Sequence, residues 1–197
     1  PSHGLRCVVG GIEGGPAAAP FVAKLGFDGS RAAIVREAEV LQSLDGRPGV
    51  LKLLSIEIGE DWALMRLPHL GCRAPKDMED PVVVDLLRKW LSEEKVLLGE
   101  ISWAADLLDR AEKAGADEEW CEAMRGREVR SALVHGDFAV WNLRNLSTGP
   151  CALDWEWAVE DGVGGIDLAY GLRQEALLVR RLEAGEALRD ILGKVEG

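Results

Sequence analysis

The chain has 197 residues and a formal charge of −11, with 47% hydrophobic and 29% charged residues, the balance of a soluble globular protein. That acidity argues against recognition of a nucleic-acid backbone, which needs a basic stripe, and no run of about 18 apolar residues offers a membrane span. Pro1-Ser2-His3-Gly4 has no positive flank leading into an apolar stretch, so it does not read as a secretory signal. Cys7, Cys72, Cys121 and Cys151 are scattered, with no C-x-x-C pair, and read as reduced thiols of a cytoplasmic protein. With three His in the chain, an imidazole metal site is not expected.

In chain order, residues 5–9 and 21–25 read as strands, with the glycine-rich tract from Gly10 to Gly15 between them. That tract reads either as a hairpin turn or as a phosphate cradle. Ser30 is the expected N-cap of a helix whose Ala33, Ile34, Ala38, Leu41 and Leu44 share one face. Asp45-Gly46-Arg47-Pro48-Gly49 ends it. Residues 50–58 and 62–67 read as two further strands, and Pro68 breaks the second. From about residue 81 to 130 the pattern is helical, with Val84, Leu87, Trp90 and Leu91 and then Ile101, Ala104, Ala105, Leu107 and Leu108 at three- and four-residue spacing. One amphipathic helix is expected over residues 173–192. The expectation is an α+β chain of two lobes: residues 1–68 form a small antiparallel β-sheet lobe with one helix, and residues 69–197 form a mainly α-helical lobe.

The chemistry concentrates in Leu133-Val134-His135-Gly136-Asp137-Phe138-Ala139-Val140-Trp141-Asn142, where an Asn follows an Asp by five positions. A hairpin over residues 143–153 then ends on Asp154-Trp155-Glu156 and carries Asp154 back towards Asp137 and Asn142. Two carboxylates and an amide oxygen are hard donors that suit Mg²⁺ carrying phosphate, and they do not suit zinc.

H-G-D-x-x-x-x-N followed by D-W-E resembles the aminoglycoside phosphotransferase and choline kinase group, small-molecule kinases with a protein-kinase-like fold. Phe21-Val22-Ala23-Lys24 resembles the lysine strand of kinases, and Arg36-Glu37-Ala38-Glu39 the helix whose glutamate pairs with that lysine. Trp62 to Pro68, including Met65 and Leu67, is similar to the strand and hinge against which adenine sits, and Gly165-Ile166-Asp167-Leu168-Ala169-Tyr170 to the family's D-L-A segment. The resemblance implies transfer of the γ-phosphate of ATP to a hydroxyl of a small acceptor, with Mg²⁺ as cofactor. Asp137 would take the proton of the attacking hydroxyl, Asn142 and Asp154 would hold Mg²⁺, and Lys24, steadied by Glu37, would draw charge from the phosphates. Glu39 competes with Glu37 for that pairing, and Glu37 is preferred because it lies along the inward edge of the helix. Pro68 has no N–H, so a hinge contact falls to Leu67 or His69. Asp167 is expected to receive backbone N–H groups and brace the loop, with His135 a structural hydrogen-bonding residue. Only about a dozen residues separate Asp154 from Asp167, too few for a peptide platform, so the expected acceptor is a small molecule, aminoglycoside-like, choline-like or sugar-like, with the acidic balance mildly favouring a cationic one.

The chain departs from that pattern at its start. The family's first strand and nucleotide-covering loop are reduced at most to Pro1-Ser2-His3-Gly4, implying either a fragment or a pocket open on one side. The alternative is a catalytically inactive, kinase-like binding or scaffold domain. Acceptor identity and oligomeric state are not legible in the sequence.

Overall fold

Alternation along one strand organises the first sheet: in Trp62–Pro68, Ala63, Met65 and Leu67 are buried while their neighbours are half-exposed. The computed structural model describes residues 7–12 and 20–195. These fall into two units, one formed by residues up to Pro75 together with Trp141–Trp157, the other by Lys76–Val140 together with the residues from Ala158 on. The stretch carrying Asn142 and Asp154 thus belongs with the β-rich beginning of the chain, beyond the single break expected after residue 68.

In the first unit, strands β1 (Cys7–Ile12), β2 (Pro20–Phe27), β3 (Ser55–Ile58) and β4 (Trp62–Pro68) form an antiparallel sheet of order β1-β2-β4-β3. β1 pairs with β2 from Cys7 opposite Leu25 to Ile12 opposite Pro20, so residues 10–12 of the glycine-rich tract are strand. The rest of that tract, and Ser2 to Gly4, lie outside the described residues. Helix α1 (Gly29–Ser43) buries Ile34, Glu37, Ala38 and Leu41 and packs on β2 and β4. Its N-cap position is Asp28 rather than Ser30. The Ser30 hydroxyl instead turns back on the entry strand, accepting from the Phe27 N–H at 2.9 Å and donating to the Phe27 carbonyl at 2.8 Å. The strand expected from residue 50 begins only at Ser55. Ahead of it, Val50 makes an isolated bridge to Ala152, whose N–H donates to the Gly49 carbonyl at 2.8 Å. The hairpin β7 (Leu143–Leu146) and β8 (Gly149–Ala152) leads into a short 3₁₀ turn, Trp155–Trp157, which packs against α1. Trp155 is buried there and its indole N–H donates to the Ala152 carbonyl at 2.9 Å. Trp141 and Trp157 are exposed.

In the second unit, α2 (Pro81–Trp90) opens on the Asp80 side chain, which accepts from the Val82 N–H, and on Pro81 in its first turn. Its buried stripe is Val83, Leu86 and Trp90. The helical pattern expected to continue is interrupted by β5 (Leu91–Leu97), which joins β6 (Glu128–Val134) and β9 (Val159–Val163) in an antiparallel sheet of order β5-β6-β9. Between β5 and β6 lie α3 (Ser102–Lys113) and α4 (Glu118–Arg125), and Leu98, Ile101, Ala104 and Leu108 form a core cluster with Met124, Val129 and Val163 against it. The final helix is also not continuous. α5 (Ile166–Gln174) runs into a π turn over Glu175–Val179, Arg181 adopts a φ of 56°, and α6 (Ala184–Val195) starts afresh.

One close approach in this unit has a measurable consequence. A Cβ on Gly171 of α5 would sit 2.6 Å from the Phe138 carbonyl oxygen and collide with the Met78 Cε. Gly171→Ala gains helix propensity but overpacks, and is expected to lower stability by about 1–3 kcal/mol, read as a fall in the urea midpoint. An unchanged or raised midpoint would show that the contact yields.

Candidate active site

The first unit carries a buried cation between two carboxylates. Lys24 on β2 is 8% exposed and lies opposite Met65 of β4. Its Nζ donates to Glu37 Oε1 at 2.6 Å and Oε2 at 2.8 Å, and also to Asp154 Oδ1. Glu37 is 1% exposed, whereas Glu39 on the same helix is exposed, which decides between them. Burial pushes the Glu37 carboxyl above its usual range, and the Lys24 charge only partly counters this.

Asp154 reaches that pair because of the hairpin. Leu143 pairs with Ala152, and one step further on the Leu153 N–H donates to the Asn142 carbonyl at 2.8 Å. Asn142 and Asp154 therefore stand at the same end of the hairpin. Asp154 holds a φ of 63°, a left-handed conformation rare for a non-glycine residue and concentrated at functional turns. Asn142 is buried.

A cleft of about 330 Å³ opens beside Lys24 and Asp154, within the size range of small-ligand sites. Its apolar walls are Val22, Leu51, Leu67 and Leu153, and His69 and Arg144 also line it. Two residues expected at an adenine stand differently. Met65 is fully buried and is not among the residues lining the cleft. His69 lines it, but its backbone N–H already donates to the Pro20 carbonyl at 3.0 Å.

The second unit holds the His-Gly-Asp loop. Asp167, at the start of α5, accepts from the His135 N–H at 2.7 Å and the Gly136 N–H at 3.1 Å. Gly136 takes a φ of 83°, open to it for want of a Cβ. His135 is fully buried, its Nδ1 accepting from the Asp137 N–H at 3.2 Å and its ring edge-on to Phe138. Asp167 thus braces the loop backbone, and His135 is hydrogen-bonded within that loop. Tyr170, the last residue of the D-L-A segment and one helical turn beyond Asp167, was given no role by sequence reasoning, and its hydroxyl donates to Asp137 Oδ1 at 2.7 Å. Its place three residues after Asp167 was the available signal.

Burial raises the Asp167 carboxyl to about 6, against the opposing pull of its two backbone donors. A carboxyl raised on folding contributes stability that is complete below its unfolded value and lost as pH rises through its folded one. Compared with Asp167→Asn, the native chain is therefore expected to lose about 3 kcal/mol of stability between about pH 4 and pH 7. Urea unfolding of both proteins across that range measures it, and parallel pH profiles would refute it.

Among the described residues, no group of three or more His, Cys, Asp or Glu side chains is gathered as for a metal ion. The pair at the hairpin end supplies one amide and one carboxylate oxygen, a donor set that fits a hard cation also ligated by phosphate. No helix of the described residues is long and apolar enough to cross a membrane.

No protein-family profile matches the chain, and no curated protein matches it. Solved structures do. A ternary complex of a thermostable mutant of aminoglycoside phosphotransferase APH(4)-Ia with ADP and hygromycin B is 14% identical, with 96% of this chain and 77% of that one covered at a TM-score of 0.53. The apo form of such a mutant is 13% identical, with 95% and 78% covered at 0.51. An aminoglycoside-3'-phosphotransferase of type VIII is 19% identical, with 98% and 87% covered at 0.51. The chain has the protein-kinase-like α+β fold of the aminoglycoside phosphotransferases.

Proposed function

We propose that this protein is a phosphotransferase moving the γ-phosphate of ATP to a hydroxyl of a small acceptor, aminoglycoside-like, choline-like or sugar-like. ATP is the donor the resemblance implies. The observation that carries the reading is the buried Lys24–Glu37 pair reaching Asp154 at the edge of an apolar-walled cleft. Such a cleft offers a base its apolar surface and a polyphosphate a fixed cation. That one structure of this fold holds ADP and hygromycin B is in keeping with it.

In this reading Lys24, oriented by Glu37, binds the phosphates. Asn142 and Asp154 would hold Mg²⁺, which when bound neutralises phosphate charge. Asp137, oriented by Tyr170, takes the proton of the acceptor hydroxyl while the Asp167 brace fixes the loop beneath it. Positioning and charge neutralisation supply most of the acceleration for this chemistry.

The test is coupled detection of nucleoside diphosphate release over a panel of aminoglycosides, amino sugars and amino alcohols, with ³²P transfer to confirm the product. Acceptor-dependent release is expected. Tight nucleotide binding with no transfer to any acceptor would favour the inactive binding-domain alternative, and no nucleotide binding at all would remove the reading of the cleft.

A further inference from the structure

The strand order puts β3 at the end of its sheet, with its outer edge unpaired among the described residues. The register decides which backbone groups face out. The Gly59 N–H donates to the Trp62 carbonyl at 2.8 Å, and Ile58 stands opposite Ala63. Bonded residues alternate along an antiparallel pair, so Ser55 and Glu57 turn their backbone groups to β4 while Ile56 and Ile58 turn theirs to the free edge. Ile56 lies opposite Met65 and Ile58 opposite Ala63, on the face against which α1 packs, and Leu54 precedes them at the same alternation. The helix leaves this end of the sheet uncovered. Leu54 is 53% and Ile58 54% exposed, and a hollow of about 200 Å³ opens between Leu41 and Gln42 of α1 and the residues leading into β3. A free edge is commonly blunted by a lysine, a proline or a bulge. β3 has none of these, and its Glu57 points to the opposite face, where Arg66 binds it.

We propose that this edge pairs with the same edge of a second copy of the chain, antiparallel about a two-fold axis at Ile56. Such an interface is isologous, so the one segment must complement itself. With Ile56 opposite Ile56, the pairing sets Leu54 against Ile58, Ser55 against Glu57 and Lys52 against Glu60 of the other copy. The outward backbone groups of Ile56 bond reciprocally, and the uncovered Leu54 and Ile58 side chains meet twice as cross-strand pairs. Lys52 and Glu60 are both exposed and of opposite sign, so the two ends of the pairing match in charge. A slip of two residues one way sets Lys52 against Ile58, and the other way Leu54 against Glu60. Only the register centred on Ile56 matches apolar with apolar and charge with charge. That self-matching favours a second copy over a foreign strand, for which the backbone edge alone would serve.

Sedimentation velocity of the full chain over a wide concentration range tests the proposal. The mass is expected to rise from the 21.4 kDa of one chain to twice that value. Ile58→Lys, a change at an exposed position, spoils two cross-strand pairs per dimer and is expected to raise the dissociation constant about tenfold. Glu60→Lys sets lysine against Lys52 and is expected to weaken association severalfold, less so in high salt, and adding Lys52→Glu is expected to restore it. A chain that stays monomeric at every concentration overturns the proposal and leaves the edge to a foreign strand. Association unchanged in Ile58→Lys overturns it by marking another surface, and a double variant no tighter than Glu60→Lys alone overturns the register. Should Ile58→Lys fail to fold, the two charge variants still decide, since both positions are exposed.

Discussion

On the proposed function, Asp137→Ala is expected to lower the turnover of phosphoryl transfer by about two to four orders of magnitude, the range lost with a positioned general base, with nucleotide affinity expected to hold. The two readouts separate because Asp137 is not among the residues lining the cleft. Its carboxylate is aimed by Tyr170, whose hydroxyl donates to Oδ1, and burial together with that carboxylate raises the phenol above its usual range, so it remains a donor. Tyr170→Phe leaves the base in place but loosens its direction, and is expected to cost about tenfold in kcat, the scale of one hydrogen bond. Equal turnover in native protein and Asp137→Ala would remove the catalytic assignment.

Lys24→Met carries the largest expected loss of stability. It leaves Glu37, 1% exposed, beside Asp154 with no cation between them, and removing one member of a buried pair costs about 3–5 kcal/mol. The sign with pH follows from Glu37. Burial already raises its carboxyl, and losing Lys24 removes the largest opposing influence. Because a raised carboxyl forfeits stability as pH climbs through its folded value, the penalty is expected to be larger at pH 8 than at pH 5. Adding Glu37→Leu should restore much of it, since an apolar pair replaces a buried ionic one at little cost. Urea unfolding of both variants at the two pH values measures this, and a pH-independent penalty would show that Glu37 does not hold its charge alone.

Much of the site was legible because its chemistry is local. The choice of Glu37 over Glu39 followed from which helix edge faces inward, and the hairpin ending on Asp154 followed from its turn residues. The elements that escaped are those whose local signal opposes their state. β5 reads Leu-Ser-Glu-Glu-Lys-Val-Leu, poor in β-branched residues, and its pairing with β6 shifts register between Leu91 and Lys95. Tertiary pairing, not propensity, makes it a strand. β9 is five residues containing Glu, Asp and Gly. At the C-terminal end, apolar residues keep helical spacing through the π turn and past Arg181, and periodicity records no change of hydrogen-bond register.

The chain leaves its first unit after Pro75 and re-enters it over Trp141–Trp157. During synthesis, the early strands and α1 emerge before Trp155, which fills their core, and before Asp154, 130 positions from its partner Lys24. Closing so long a loop is slow. Until then the nascent β-rich segment has an incomplete interior and a buried-type lysine with only Glu37 to meet it. The intervening residues are thus made, and free to fold, while the cleft beside Lys24 is still unfinished.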